Sequence, residues 1–341
     1  QKHLTKNKTK CIKTIMFRGT LPVAGRLLVY EDFREGDFSL RQQVEKNKNN
    51  KYSVTDLSNE WREFYKKQTS PTNFNTTPLY LKESHKSFSL LKRIILKMRA
   101  IEYSIKRGIF WEYVLLRIIK LSKENTRNEY ERVQSPVDYN QKFVYAPLQY
   151  QPESTTSPLG DIFVDQILMI ETLSKALPAS WFLYVKEHPT QWFKRGFNFA
   201  SSRYRGYYEK ISEIKNVRLV PVATDTYSLI CSAQAVTTIS GIAGIEAILR
   251  QKPVLIFGYP WYRDYPGVFR VQDVDTCHEV FIKIKNGFKI DSQDTLNFLK
   301  SVDMVALRGY IDGYQQRTSG ITEKESLDNI SRAIFNALLE K

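Results

Sequence analysis

At 341 residues the chain is long enough for two domains, each with its own core. Its three cysteines, Cys11, Cys231 and Cys277, fit neither a disulfide framework nor a Cys-x-x-Cys zinc site, which points to a reducing compartment. The net charge of +15 is lopsided: residues 1–135 hold 28 Lys and Arg against 14 Asp and Glu, and the remainder 23 against 22. Such a field favours an acidic partner, anionic lipid, a charged glycan or nucleic acid, the last ranked lowest because no recognisable nucleic-acid module accompanies the charge; the alternative is a solvated basic face with no partner. The polar basic opening from Gln1 carries no signal-peptide pattern, and the missing initiator Met reads as a fragment of a longer chain. The longest uncharged run, 226–245, is interrupted by Ser, Thr, Gln and Gly and reads as helix, strand and loop rather than a membrane span.

Apolar patches at 14–17 and 26–30, split by Gly19, Pro22 and Gly25, predict two strands with a loop between them. A Lys- and Asn-rich stretch at 46–51 reads as mobile. Residues 54–67 read as a helix, with Asp56 and Ser58 as candidate caps and Trp61, Phe64 and Tyr65 on one side. A Thr-, Pro- and Asn-rich loop or hinge follows at 69–78. Over 87–121 apolar residues recur at helical spacing, from Leu90, Leu91, Ile94 and Ile95 to Ile118 and Ile119, with a break near Gly108. The polar side is basic, with Lys92, Arg93, Lys97, Arg99, Lys106 and Arg107. Core packing is the expected use of the apolar stripe. The alternative is an anionic membrane surface, where each nearby Lys or Arg contributes on the order of 1 kcal/mol.

Beyond a linker at Ser135, Pro136 and Asp138, strands predicted at 143–148, 181–186, 217–220, 235–239 and 254–257 alternate with helices at 163–177, 204–215, 224–232 and 242–250. Further helical patterns lie at 292–305 and 323–339, and no internal repeat appears. The alternation predicts a doubly wound parallel sheet, whose ligands gather beyond the carboxyl ends of the strands. Three such ends carry unusual residues: Gln149, Gln151 and Glu153; then Lys186, Glu187, His188 and Pro189; then the Ser240 loop together with 258–264.

Ser240, Gly241 and Gly244 stand where a strand hands over to a helix, so free backbone N–H groups and the positive end of a helix dipole would meet a phosphate there. The spacing is neither Walker A nor Gly-x-Gly-x-x-Gly, and the alternative is an ordinary strand-to-helix turn. His188, held by Pro189, suits a hydrogen-bond donor toward a phosphate or a general acid, against a structural histidine. Lys186 alternates to the other side of the strand. Glu153 is placed to act as a base or nucleophile at a sugar carbon, or to be a surface acid. Glu246 suits ribose hydroxyls, or a solvent-facing helix position. Tyr259, Trp261, Tyr262 and Arg263 offer stacking faces and a cation, or they fill a seam between domains.

The segments FVYAPLQYQPE (143–153), WFLYVKEHP (181–189) and TTISGIAGIEAILRQKPVLIFGYPWY (237–262) resemble the bacterial capsule polysaccharide biosynthesis family, which includes the Kdo (3-deoxy-manno-octulosonic acid) transferases of capsule assembly. The likeness covers about 140–275. It implies a GT-B arrangement, two Rossmann-like domains facing across a cleft with the nucleotide sugar held mainly by the second. By that resemblance His188 with Pro189 matches a His-Pro motif contacting the donor phosphate, and Ser240 with Gly241 matches a Ser/Thr motif near the same group. Glu153 falls where related Kdo transferases present an acidic residue, often Asp. The first 135 residues depart from the pattern, showing neither a succession of βαβ units nor a Gly-rich opening loop.

The expected architecture is therefore α/β and GT-B-like. A Rossmann-like nucleotide-sugar domain is expected at 136–310. Before it, at 1–135, stands an incomplete or remodelled α/β region with basic amphipathic helices, facing acceptor or membrane, and a C-terminal helix follows at 311–341. The expected activity is metal-independent glycosyl transfer in capsular or surface polysaccharide biosynthesis, with no cofactor. The sugar would be Kdo or another acidic sugar on a CMP donor, and the acceptor a glycan or glycolipid at the inner face of the cytoplasmic membrane. Glu153 and His188 are the candidate catalytic residues; Gln149, Lys186, Ser240, Gly241, Gly244, Glu246, Tyr259 and Arg263 are the candidate donor-binding residues. The alternatives are a nucleotide-sugar epimerase, a polyol-phosphate polymer transferase, and a non-catalytic polysaccharide-binding or export protein.

Overall fold

A computed structural model describes residues 14–70, 90–122, 126–192 and 202–339. Cys11, the predicted loop over 71–78 and the predicted helix start at 87–89 lie outside the described residues. Strands β1 (Met16–Gly19) and β2 (Arg26–Tyr30) pair antiparallel, with Met16 opposite Tyr30. Helix α1 (Phe38–Asn47) follows; its last residues overlap the stretch read from sequence as mobile. It forms because the Asp37 carboxylate accepts from the amides of Leu40 and Val29, capping the helix and tying it to β2 at once. A 3-10 turn (Val54–Asp56) and α2 (Asn59–Thr69) come next, then α3 (Leu90–Lys106), α4 (Phe110–Ser122) and α5 (Thr126–Val133). Gly108, at φ +69°, reverses the chain between α3 and α4.

From β3 (Lys142–Pro147) onward the chain alternates: α6 (Gln166–Ala176), β4 (Trp181–Lys186), α7 (Tyr207–Ser212), β5 (Val217–Leu219), α8 (Thr226–Ser232), β6 (Ala235–Thr238), α9 (Ala243–Ile248) and β7 (Val254–Ile256). There follow β8 (Val268–Arg270), α10 (Val274–Lys285), α11 (Ser292–Val305), β9 (Leu307–Arg308), α12 (Gly313–Thr318) and α13 (Glu323–Leu339). Aspartates start many of these helices: the side chains of Asp165, Asp225, Asp273, Asp291 and Asp312 each accept from an amide of the first turn.

Strands β3 to β8 form one parallel sheet in the order β5-β4-β3-β6-β7-β8. Chain progress runs outward from β3 in one direction and from β6 in the other, so the strand order reverses between these two neighbours. Both faces are covered, as parallel sheets require. Val144, Ala146, Leu183 and Val185 pack with Ile170 and Leu173 of α6 and Phe281 of α10, while Phe143, Tyr145 and Tyr184 share the opposite core with Ile245 and Ile248 of α9. The doubly wound sheet predicted from the alternation is thus present, extended by β8 and α10, which the sequence reading did not include.

The two ends of the chain are joined. Strand β2 pairs antiparallel with β9, making a three-stranded sheet β1-β2-β9. Asn47 of α1 donates to Ser301 Oγ of α11 at 2.9 Å, and Arg26 lies 3.6 Å from Asp303 and 3.4 Å from Glu60. Trp61, fully buried, meets Trp261 edge-on at 6.0 Å, and Trp261 Nε1 donates to Leu21 O at 3.0 Å. Trp261 therefore fills the seam between the early segment and the sheet.

The α3–α4 pair corrects the sequence reading. Its stripe was expected in a core, yet Leu91, Ile94, Ile95, Met98, Ile101 and Ile105 are 39 to 70% exposed. The two helices pack mainly on each other, and no described element covers the stripe.

Truncating Trp61 removes the ring that locks the early segment to the Trp261 loop. Trp61→Ala is expected to lower unfolding stability by about 3–5 kcal/mol, read from the urea midpoint at unchanged slope.

Candidate functional site

A cavity of about 1100 Å³ opens at the carboxyl ends of β3, β4 and β6, where the strand order reverses. Its walls are the loops after these strands, the start of α8, the β1 strand and the segment around Asp312. The loops after β3 and β4 are set by a buried polar cluster. Glu187, wholly buried, receives Arg203 Nε at 2.7 Å, the Tyr208 hydroxyl at 2.6 Å and the amide of His188 at 2.6 Å. Arg203 also donates to Gln151 Oε1 at 2.6 Å and to Gln149 O at 3.2 Å. Gln166 closes the other side, exchanging hydrogen bonds with the Gln149 backbone at 2.7 and 3.0 Å.

Among the sequence-predicted residues, Glu153, His188, Gln149, Lys186, Ser240, Gly241 and Glu246 all line this cavity. His188 Nδ1 accepts from the Thr190 amide at 3.3 Å and lies 2.9 Å from Thr190 Oγ1, so the neutral ring carries its proton on Nε2. Glu153 stands on the exposed loop after β3, with Oε2 accepting from Thr155 Oγ1 at 3.1 Å. Ser240 Oγ donates to Thr155 O at 2.6 Å, clamping that same loop to the end of β6. Gln149 Nε2 donates to Thr238 Oγ1 at 2.9 Å and so bridges β3 and β6 across the reversal.

Three expectations change. The loop after β6 does not hold free amides at Gly241 and Gly244: Gly241 N donates to Thr238 Oγ1 at 3.1 Å and Gly244 N to Gly241 O at 3.3 Å. Helix α9 has six residues, too short for a strong dipole. These glycines serve close packing instead, since a Cβ at Gly241 would fall 2.4 Å from Gln149 Oε1 and one at Gly244 2.1 Å from the Tyr262 hydroxyl. Gly244, Tyr259 and Arg263 do not line the cavity. The Tyr259 hydroxyl donates to Asp161 Oδ2 at 3.0 Å and accepts from Arg270 at 2.7 Å, tying the loop after β3 to β8, while Arg263 donates to Arg34 O at 2.9 Å and fastens the segment after β2. An Asp-x-Asp pair, Asp273 and Asp275, also lies away from the cavity, in the cap and first turn of α10.

The sequence reading missed Arg18, Tyr145, Asp225 and Arg203. Arg18 projects from β1 into the cavity wall, and burial lowers its pKa while Tyr30 and Glu153 raise it. Among the described residues it makes no ion pair. A lone Arg inside the apolar run at 15–19 was the available signal. Nothing in the sequence ties Arg203 to Glu187.

Charge in the cavity is mixed. Lys186, 5% exposed, donates to Thr226 Oγ1 at 2.8 Å; burial pushes its ammonium down to about 8, partly offset by Asp225 and Glu246. Burial raises the Glu246 carboxyl, against the pull of Arg250 and Lys186. A cation and a carboxylate thus face one space without an ion pair between them, an arrangement able to receive both an anion and hydroxyl groups.

A doubly wound parallel sheet with a cavity in the crevice at its switch point defines an α/β protein of the Rossmann-like class. Residues 64–280 match the capsule polysaccharide biosynthesis protein family, and the chain belongs to that family. No curated protein sequence matches it. Among solved structures it is similar to a Thermosulfurimonas dismutans KpsC described as a beta Kdo 2,7 transferase, with 14% identity over 54% of this chain and 52% of that one and a TM-score of 0.34. It is also similar to UDP-GlcNAc 2-epimerase from Methanocaldococcus jannaschii, with 16% identity over 54% and 49% and a TM-score of 0.33. Anabaena HepE in complex with UDP-glucose is a third, with 14% identity over 57% and 50% and a TM-score of 0.31. The chain spans about half the length of these structures.

Lys186 carries a pH signature. Below about pH 8 the folded protein holds its ammonium buried; between about 8 and the ordinary 10.5 the unfolded chain keeps a proton that the folded one releases, so the wild type gains stability as pH rises. Lys186→Met is expected to abolish this rise, its stability relative to wild type being most favourable at neutral pH, where the buried charge costs the wild type about 3 kcal/mol over the neutral amine. That relative stability should fall steadily above about pH 8 in paired denaturation curves.

Proposed function

We propose that the cavity binds a nucleotide sugar and that the protein transfers its sugar to a glycan or glycolipid of capsule assembly. The observation that carries this reading is the convergence of His188, Ser240, Lys186, Glu246 and Glu153 on one cavity at the switch point, in a chain of the capsule family. In the proposed transfer an acceptor hydroxyl attacks the anomeric carbon while the bond from that carbon to the nucleotide phosphate breaks. Glu153 takes the hydroxyl proton, and the departing phosphate accepts from His188 Nε2–H, so the developing charge is met by side chains without a metal. Glu246 receives ribose hydroxyls, and Lys186 and Arg18 supply positive charge. Ser240 and Gln149 hold the loops that shape the pocket. The donor proposed is a CMP-linked acidic sugar such as Kdo, whose two negative groups match the two cavity cations.

Thermal-shift titration with CMP, CDP, UDP and GDP tests the donor. CMP is expected to stabilise the protein, and His188→Ala to weaken that binding roughly tenfold through loss of one hydrogen bond to a charged group. Ser240→Ala is a poorer probe, because its hydroxyl also clamps the Thr155 loop. Stabilisation by UDP alone would remove the acidic-sugar donor and keep nucleotide-dependent transfer; stabilisation by none of the four would overturn the reading.

Glu153→Gln separates binding from chemistry. It is expected to leave nucleotide affinity intact and to cut transfer to added acceptor by about a hundredfold or more. Turnover that proceeds without any acceptor would indicate epimerisation instead.

A further inference from the structure

Helices α3 and α4 form a hairpin whose apolar surface is turned outward. On α3 the stripe Leu91, Ile94, Ile95, Met98, Ile101 and Ile105 follows helical spacing and stays 39 to 70% exposed. On α4, Trp111, Leu115 and Ile118 make a second stripe, 77, 57 and 57% exposed. The turn at Gly108 is flanked by aromatic and basic side chains: Tyr103 lies under the Arg107 guanidinium at 5.4 Å, and Phe110 meets Trp111 at 5.4 Å. Residues 90–122 hold eight Lys and Arg against two acids, and one of these acids, Glu102, is paired with Lys106 at 2.6 Å.

We propose that this hairpin seats the protein on an anionic lipid bilayer, with the apolar stripes and the Trp111 end entering the interfacial region and the cations at the headgroups. Three observations select this occupant. The cations flanking the stripes call for an acidic partner of low dielectric, which an anionic lipid surface supplies throughout. A second copy of the chain would bring the same excess of cations against them. Among the described residues no helix is long and apolar enough to cross a membrane, so the hairpin lies in the interface. Aromatic rings beside basic residues at its tip are the usual anchors at that depth. The inference is independent of glycosyl transfer, because none of these residues lines the cavity.

Co-sedimentation with vesicles of equimolar phosphatidylcholine and phosphatidylglycerol, against phosphatidylcholine alone, tests it. Partition into the anionic vesicles is expected to be at least about tenfold stronger and to fall steeply at high salt. The triple variant Ile94→Asp, Met98→Asp, Ile101→Asp and the separate variant Lys97→Glu, Arg99→Glu are each expected to lose about tenfold or more of that binding. Since the substituted side chains are exposed, melting temperature and nucleotide-induced shifts should not change. Equal partition into both vesicle types, no partition at all, or a wild-type dimer in light scattering that the triple variant converts to monomer would each overturn the proposal.

Discussion

The cavity depends on one buried ion pair. Glu187 and Arg203 have side chains 0 and 2% exposed, and taking such charges out of water costs several kcal/mol unless each is fully satisfied. Here they are. Glu187 accepts from Arg203, the Tyr208 hydroxyl and the His188 amide, and Arg203 reaches the Gln149 carbonyl and the Gln151 side chain. The cluster therefore fixes, in one network, the backbone after β3 and the backbone after β4. It does so where apolar packing ends and loops would otherwise wander, which is why His188 and the chain leading to Glu153 share one space.

A second constraint acts across the reversal of strand order. Parallel neighbours β3 and β6 pair only at Val144–Ala235 and Tyr145–Val236, so beyond that point their ends diverge and open the crevice. Thr238 Oγ1 holds the gap at a fixed width by accepting from both Gln149 Nε2 and Gly241 N. The glycine is needed because the Gln149 amide occupies the place a Cβ would take. What looked in sequence like a phosphate cradle is thus a packing joint, its Gly241 and Gly244 amides already engaged within the loop.

Much of the sheet was legible because parallel strands buried on both faces are continuous apolar runs between helical patterns, as at 143–148 and 181–186. Strands β8 and β9, of three and two residues, carry too little pattern to be seen; they exist because neighbours supply their hydrogen bonds. Helix α1 was hidden by polar composition, and its signal was the single cap Asp37. Within the site, residues that follow a strand in sequence were found, whereas Arg18 and Arg203 come to the cavity or its support from distant segments. The stripe on α3 was visible, but periodicity reports that a helix has an apolar side and not what meets it.

The cavity's own electrostatics argue for a composite ligand. Arg18 has Glu153 in its field, and Lys186 has Asp225 and Glu246, yet neither cation forms an ion pair with these carboxylates. Collapse into ion pairs would neutralise the charges and close the space; the anchored loops prevent it. Burial holds the Lys186 ammonium below its ordinary range and the Glu246 carboxyl above its own, so each charge is less favourable here than in water. A simple anion would satisfy the cations and repel the carboxylates, whereas a neutral sugar would satisfy the carboxylates and leave the positive charge uncompensated. The proposed nucleotide sugar, joining phosphate to hydroxyl-rich rings, would satisfy both sets at once by lying along the whole crevice.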